Sequence, residues 1–221
     1  MDHSSDAGAA VYSPLTLKLY DAWVLGISNR FAWQCPTRDV LQPFFDRHVG
    51  ARHLDVGVGT GYYLAKARLP ETTHVTLLDL NPSSLQAARQ RFGRSDTTTL
   101  QHDVFLPLGP EQQGCYDSIS LFYLLHCLPG SMGDKAQVFA NLKPCLKPGG
   151  VLFGATILGD AAGHNRFGSK LIEVYNKKGI FGNRSDTAEG LRSALALHFS
   201  GINIEVVGKV ALFSAKSALT T

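Results

Sequence analysis

The chain has 221 residues, of which 44% are hydrophobic and 18% are charged, proportions typical of one globular domain with a sizeable core. Its net charge of +3 is dispersed, without the dense basic face that nucleic-acid binding requires, so no nucleic-acid partner is expected. The four scattered cysteines lack CxxC spacing, which disfavours a disulfide framework and a structural zinc site and indicates a reducing, cytoplasmic setting.

The first 48 residues divide into a tail and a helical segment. Residues 1–12 are small and polar and are predicted to be disordered, and they lack the basic start of a signal peptide. Residues 13–48 carry helical apolar patterns with many aromatic side chains. This segment is expected either to pack on the main sheet or to form a lid over a ligand pocket, and Tyr20 within it is a candidate ligand contact.

After Gly50 the sequence alternates short apolar runs with helical patterns, which predicts a parallel sheet with crossover helices within one domain of residues 13–221. Two strand-like runs around Gly208-Lys209 predict a closing antiparallel hairpin. No apolar run reaches the roughly 18 residues of a membrane span, so no membrane partner is expected. The predicted strands cover 52–56, 74–79, 98–102, 116–122, 150–157, 202–207 and 210–215, and the predicted helices cover 61–68, 83–92 and 134–146.

A glycine-rich turn follows the first predicted strand, in the run His53-Leu54-Asp55-Val56-Gly57-Val58-Gly59-Thr60-Gly61. Gly57, Gly59 and Gly61 let the backbone turn sharply and let a ligand lie against bare main chain. Asp55, just before this turn, would repel a pyrophosphate but attract a cationic ligand. Tyr62 stands where a dinucleotide-binding fingerprint has its third glycine, which disfavours a nicotinamide or flavin cofactor.

Two further acidic residues follow the second and third predicted strands. Asp79 can accept hydrogen bonds from both hydroxyls of a ribose, or it can be an ordinary turn residue. Asp103 can accept from the exocyclic amine of adenine while Val104 contacts the ring, or it can be a plain loop aspartate. Because ligands of open α/β sheets bind outside the carboxyl ends of the strands, Asp55, Asp79 and Asp103 are expected to converge on one nucleoside ligand.

With these motifs the sequence resembles the class I S-adenosylmethionine-dependent methyltransferase superfamily over residues 45–216. The resemblance implies an α/β, Rossmann-like fold with a mostly parallel seven-stranded sheet, an antiparallel last strand and a helical N-terminal cap. It also implies S-adenosylmethionine as the methyl donor. The motifs that carry it are Asp55-Val56-Gly57-Val58-Gly59-Thr60-Gly61, Leu78-Asp79-Leu80-Asn81, Gln101-His102-Asp103-Val104, Tyr116-Asp117-Ser118-Ile119-Ser120-Leu121-Phe122 and Leu146-Lys147-Pro148-Gly149-Gly150. The predicted cofactor-binding residues are Tyr20, Asp55, Gly57, Gly59, Gly61, Asp79, Leu80, Asp103, Val104 and Phe122.

The class of methyl acceptor is inferred by elimination, because the sequence motifs of several branches of the superfamily are not recognisable in this chain. The metal-binding acids of the catechol-type branch, the Asn-Pro-Pro-Tyr-like tetrapeptide of amino-methylating DNA and protein branches and the cysteines of arsenic methyltransferases are missing. No metal is therefore expected, and a small organic acceptor remains. Residues 159–190 form a variable region that is expected to be either an acceptor site or a plain surface excursion.

His126 follows the fourth predicted strand, where the methyl donor is expected, and is the candidate general base. Its alternatives are a loop-shaping histidine and a substrate contact, and Tyr20, Tyr62 and Tyr123 are alternative orienting residues. The competing functions are a nicotinamide-dependent oxidoreductase, and a protein that keeps the S-adenosylmethionine pocket but works as a cyclase or binding module. The sequence leaves the methylated atom and the oligomeric state open.

Overall fold

Seven strands form one sheet in the part of the chain that the computed structural model describes, residues 21–217, with side chains from residue 25. The predicted tail of residues 1–12, and Tyr20, lie outside the described residues. The strands are β1 (Arg52–Val56), β2 (His74–Asp79), β3 (Thr98–Gln101), β4 (Tyr116–Phe122), β5 (Leu146–Ile157), β6 (Ser200–Val207) and β7 (Val210–Lys216).

The spatial order of the strands is β3-β2-β1-β4-β5-β7-β6. The pairs among the first five strands are all parallel, whereas β7 enters between β5 and β6 and runs antiparallel to both. The turn between β6 and β7 needs a glycine, because Gly208 has a φ of 59° and a Cβ atom there would collide with the carbonyl oxygen of Trp33. The predicted sheet with its antiparallel last strand is confirmed.

Helices cover both faces of the sheet, which is why most side chains of its central strands are buried. Leu54, Ile119 and Leu152 belong to the core on one face. Phe45 and Phe153 belong to the core on the other face. The regular α-helices are α1 (Gln42–His48), α2 (Tyr62–Lys66), α3 (Pro82–Phe92), α4 (Met132–Leu142), α5 (Arg166–Lys177) and α6 (Ala188–Ala196). No helix within residues 21–217 is long and apolar enough to cross a membrane.

Helix ends account for the differences from the predicted boundaries. α3 begins at Pro82 because the Asn81 side chain accepts a hydrogen bond from the Ser83 N–H at 2.9 Å. α4 begins at Met132, two residues before the prediction, with a capping box between Ser131 and Asp134. It ends at Leu142 and is followed by a 3₁₀ turn, Lys143–Cys145, and by the start of β5.

From residue 21 the N-terminal segment is helical, as predicted, but two of its helices have π geometry, Asp21–Ala32 and Thr37–Leu41. It is bound to the segment that follows β5. The Asn165 amide donates to the carbonyl oxygen of Phe31 at 2.8 Å, and the Trp33 ring packs edge-on against His164 at a centroid distance of 5.6 Å. The carbonyl oxygen of Trp33 also accepts from the Lys209 N–H at 2.7 Å, so the segment bridges the variable region and the β6–β7 hairpin.

A buried ion pair fixes the end of the variable region to α4. The Lys135 ammonium lies 2.6 Å from the Asp186 carboxylate and donates to the carbonyl oxygen of Gly182 at 2.9 Å, and neither charged side chain is exposed. Burial lowers the pKa of Lys135 and raises that of Asp186, while each partner favours the charge of the other. Ile180 and Phe181, which precede this anchor, are thereby held beside the carboxyl end of the sheet.

Candidate active site

A pocket opens at the carboxyl ends of β1, β2 and β4, with the loop after β3 closing one side. This is where the strand order reverses direction along the sheet, because β1 lies between β2 on one side and β4 on the other. Parallel strands bring their carboxyl ends to one edge, so residues far apart in the sequence meet there. Of the predicted cofactor-binding residues, the pocket is lined by Asp55, Gly57, Gly59, Asp79, Leu80, Asp103, Val104 and Phe122.

The three glycines of the turn after β1 have different surroundings, although all three have positive φ. A Cβ atom on Gly57 would lie 2.8 Å from the Leu124 side chain, and one on Gly61 would lie 2.8 Å from the Ala88 backbone. A Cβ atom on Gly59, at a φ of 52°, would meet nothing within 4 Å. Gly61 therefore serves the packing of the turn against α3 and does not line the pocket, whereas Gly59 leaves the pocket open.

Asp55 is 6% exposed and lies at the bottom of the pocket. The Ser120 hydroxyl of β4 donates to its Oδ1 atom at 2.5 Å. Burial raises the pKa of Asp55 to about 6, the Ser120 hydrogen bond opposes this rise, and the charge of Asp79 adds to it. The carboxylate is thus ionised at neutral pH in a place where a cation would relieve its desolvation.

Asp79 links the second strand to the glycine turn. Its Oδ2 atom accepts from the Gly59 N–H at 3.3 Å, and its Oδ1 atom accepts from the Asn81 N–H at 2.9 Å. Burial raises the pKa of Asp79, and these backbone donors counteract the rise. The carboxylate therefore both braces the turn and faces the pocket.

Asp103 lies on the rim, where its Oδ1 atom accepts from the Phe105 N–H at 3.0 Å. Although three carboxylates share the pocket, no group of three or more His, Cys, Asp or Glu side chains within residues 21–217 could hold a metal ion. The arrangement suits an organic ligand with several hydrogen-bond donors.

The apolar wall of the pocket is rigid, because it is part of an aromatic cluster. Phe122 is 7% exposed and packs against Tyr63 at a centroid distance of 4.6 Å and against Phe45 at 5.2 Å. Val104 and Leu80 form the wall on the side of Asp103. The pocket thus has carboxylates on strand ends and apolar surfaces between them.

His126 does not line the pocket. Its ring is 2% exposed and packs edge-on against Phe181 at a centroid distance of 4.6 Å. Its Nδ1 atom accepts a hydrogen bond from the Ile157 N–H at 3.3 Å. Burial, helped by the charge of Lys135, lowers the pKa of His126 to about 3, so the ring is neutral and its Nδ1 lone pair is already used. This geometry favours the loop-shaping alternative over the general base.

Several residues around the pocket are not among the predicted cofactor-binding residues. Tyr62 and Tyr123, which were considered as orienting residues, do line it, and Tyr123 has a φ of 60° that turns the chain sharply after β4. Ser120 was missed, although a polar side chain in a buried parallel strand is itself a signal. Further lining residues lie in segments whose approach to the pocket no local sequence pattern indicates, among them Leu25, Leu124, Cys127, Leu128 and Ile180.

Comparisons with known proteins agree on one family. Residues 54–152 match the family model described as a methyltransferase domain. The chain is 44% identical over 211 residues to the Physcion biosynthesis cluster O-methyltransferase of Aspergillus chevalieri, covering 96% of this chain and 95% of that protein. It is 42% identical over 221 residues to Methyltransferase ctvB of Aspergillus terreus, covering 96% of each.

Among solved structures, N-methyltransferase NodS from Bradyrhizobium japonicum WM9, determined in complex with S-adenosyl-L-homocysteine, superposes with a TM-score of 0.61. It covers 92% of this chain and 97% of that chain at 16% identity, a level at which the likeness shows the fold. The sheet order and the antiparallel last strand define a Rossmann-like methyltransferase fold. Together with the relatives, they show that the chain belongs to the class I S-adenosylmethionine-dependent methyltransferases and is an enzyme of that family.

The different surroundings of Gly59 and Gly61 predict different effects of the same substitution. Gly59→Ala should lower the free energy of unfolding by only about 1–2 kcal/mol, the strain of a positive φ in a residue with a Cβ atom. The added methyl group should nevertheless weaken binding of S-adenosylhomocysteine by about tenfold or more, because it occupies the pocket. Chemical denaturation and calorimetric titration measure the two effects.

Gly61→Ala is the matched variant, since it combines a similar strain with a collision against Ala88. It should lower the free energy of unfolding by about 2–4 kcal/mol, and the folded fraction should bind ligand nearly as well as the parent. Equal binding losses in the two variants would contradict the distinction between a pocket glycine and a packing glycine.

Proposed function

We propose that this enzyme transfers a methyl group from S-adenosylmethionine to a hydroxyl oxygen of a small, largely apolar organic molecule. The observation that carries the proposal is the convergence of carboxylates from three adjacent strand ends around the open Gly59 turn, beside an apolar wall. The printed name of the relative at 44% identity, an O-methyltransferase, supports oxygen as the methylated atom.

The carboxylates and apolar side chains of the pocket match the chemical groups of S-adenosylmethionine. Asp55, buried and ionised, suits the ammonium group, and Asp79 presents a carboxylate for both ribose hydroxyls. Asp103 suits the exocyclic amine of adenine, and Val104 with Leu80 suits the faces of the ring. The glycine turn supplies bare main chain, as the bulk of a nucleoside requires.

Bound S-adenosylmethionine supplies a methyl group that its sulfonium already activates. The protein's task is then to hold the acceptor in line with that methyl group and to keep water away. Alignment of this kind lowers a barrier by about 7–11 kcal/mol in favourable intramolecular reactions. Phe122 and Tyr123 at the end of β4 form a rigid, water-poor surface for this purpose, with 7% and 6% of their surfaces exposed.

The acceptor side of the pocket joins the N-terminal segment to the variable region. Leu25, in the first π-helix, and Ile180, before the buried ion pair, line the same pocket as Asp55. Their apolar side chains favour an acceptor with a hydrocarbon or aromatic surface. In this proposal residues 13–48 are the lid and residues 159–190 are the acceptor site, which selects one of the two alternatives that the sequence leaves open for each segment.

A phenol or an enol is the hydroxyl that this site suits best. Near Tyr123, the Cys127 side chain lines the pocket, but burial raises the pKa of its thiol to about 12, so it does not act as a base at neutral pH. His126 is neutral and turned into the core. An acceptor that enters the pocket as its anion needs no general base. Acidic enols are largely ionised near neutral pH, whereas an ordinary phenol, with a pKa of about 10, supplies a small phenolate fraction that grows with pH.

The test is a transfer assay with S-adenosylmethionine labelled in its methyl group and a panel of small phenols, alkyl alcohols and amines. We expect label in phenolic ethers, at a rate that rises with pH up to the pKa of each phenol, because the phenolate is the nucleophile. Alkyl alcohols of the same shape are the control and should stay unlabelled.

Transfer to amines in preference to phenols would refute oxygen as the methylated atom. Tight binding of S-adenosylmethionine with no transfer to any acceptor would favour the alternative of a methyltransferase fold that works as a cyclase or a binding module.

His126→Asn tests the role of this histidine. The Oδ1 atom of asparagine can still accept from the Ile157 N–H, so the loop should keep its shape. We expect kcat on the best phenol to fall by less than about threefold, whereas removal of a general base typically costs about 10²–10⁴-fold. A loss of 100-fold in a variant with parental unfolding behaviour would restore His126 as the base.

A further inference from the structure

Four polar side chains lie together on one face of β1 and β4, inside an apolar core. The parallel register sets His53 opposite Ser118 and Asp55 opposite Ser120, so alternation along the strands places all four on the same side of the sheet. His53, Ser118 and Ser120 are fully buried, and Asp55 is open only towards the pocket. Burial of polar side chains is unfavourable unless they form hydrogen bonds, so the presence of four of them in an apolar core needs an explanation.

Continuous hydrogen bonds join these side chains across the sheet. The Gly50 N–H donates to Ser118 Oγ at 2.8 Å, and Ser118 Oγ lies 2.8 Å from His53 Nδ1. His53 Nε2 lies 3.1 Å from Ser120 Oγ, whose hydroxyl donates to Asp55 Oδ1 at 2.5 Å. The chain of hydrogen bonds thus starts at Gly50, at the amino end of β1, and ends on the Asp55 carboxylate at the bottom of the pocket.

One arrangement of protons satisfies every member of this chain. Because the Ser120 proton is donated to Asp55, the Ser120 oxygen must accept from His53 Nε2–H. Burial lowers the pKa of His53 to about 3, so the ring is neutral and its Nδ1 atom accepts from the Ser118 hydroxyl. All four hydrogen bonds therefore point towards the Asp55 carboxylate.

The surroundings keep this chain dry and the imidazole ring in place. The His53 ring packs edge-on against Phe45 at a centroid distance of 5.7 Å and lies tilted against Phe153 at 5.9 Å. In such a medium of low polarity, successive hydrogen bonds polarise one another and strengthen the last one. The charge of Asp79 on the neighbouring strand opposes that of Asp55, so the last donor matters for keeping Asp55 ionised.

We infer that His53 is a positioning residue for cofactor binding: through Ser120 it orients the Asp55 carboxylate and stabilises its charge for the ammonium group of S-adenosylmethionine. His53 itself touches no ligand, since it lies beneath the pocket and is absent from its lining. The inference rests on the proposed function, because it takes that cofactor as the ligand of Asp55.

Two substitutions at the same position separate the hydrogen bond from the packing. H53F keeps an aromatic ring between Phe45 and Phe153 but removes the donor to Ser120. H53Q keeps an N–H that can reach Ser120. H48F is the control, because the His48 ring also stacks on Phe153, at 5.2 Å, but bonds to the carbonyl oxygen of Phe44 and not to this chain.

Calorimetric titration with S-adenosylhomocysteine, which carries the same ammonium group, should show a dissociation constant about 3- to 10-fold higher for H53F, the factor of one ordinary hydrogen bond. H53Q and H48F should stay within about twofold of the parent. H53F combined with S120A should bind no more weakly than S120A alone, because both changes interrupt the same chain.

Nitrogen NMR of histidine-labelled parent protein reads the proton arrangement without any ligand or activity. His53 should be the neutral Nε2–H tautomer from pH 5 to 8. A neutral Nδ1–H tautomer, or a charged ring, would overturn the inference even if H53F failed to fold.

Parental binding by folded H53F, or equal losses in H53F and H53Q, would overturn the role of His53 while leaving the proposed function intact. Failure of the parent itself to bind S-adenosylhomocysteine would refute the proposed function and, with it, this role.

Discussion

Two carboxylates at the ends of the neighbouring strands β1 and β2, the buried Asp55 and the half-buried Asp79, constrain the rest of the site. Asp55 and Asp79 each have a raised pKa because of burial. The donors that support them are the Ser120 hydroxyl and the backbone N–H groups of Gly59, Leu80 and Asn81, all of them neutral. Neutral donors hold the charges in place without cancelling them. The pocket is thereby prepared for a ligand that is cationic at one end and rich in hydroxyl donors beside it, a description that S-adenosylmethionine meets.

Keeping these two carboxylates ionised in the pocket lowers the stability of the ligand-free protein, and packing elsewhere in the fold offsets this loss. The pKa of Asp55 rises from 3.8 to about 6 on folding, so its contribution to stability is fully present below pH 3.8 and is lost as the pH rises through about 6. The aromatic cluster around Phe122 and Phe153 and the buried Lys135–Asp186 pair keep the surrounding elements in place. Bound ligand then recovers the cost by selecting the native state.

The sequence predicted most of the scaffold, because its signals are local. Seven strands, the closing hairpin and the glycine turn follow from alternation, from turn residues and from spacing, and the structure has them within a few residues of the predicted limits. The contacts that could not be predicted from the sequence depend on the register between strands and on how distant segments pack together. The meeting of His53 with Ser118 and Ser120 requires the β1–β4 register, and the inward turn of His126 requires the segment around Phe181 to pack over it. The contribution of Leu25 and Ile180 to one pocket is likewise a property of tertiary packing.

The central claim is that an ionised Asp55 binds the cationic end of the cofactor, and calorimetric titration with S-adenosylhomocysteine between pH 5 and 8 tests it most directly. The ammonium group of the ligand stays protonated over this range. We expect one site per chain, with an affinity that is constant above about pH 7 and falls by up to about tenfold per pH unit below pH 6, as Asp55 takes up a proton. Asp55→Asn should bind more weakly at pH 7.5 and lose this dependence. No binding at millimolar ligand, or a pH dependence that is the same in the parent and in Asp55→Asn, would contradict it.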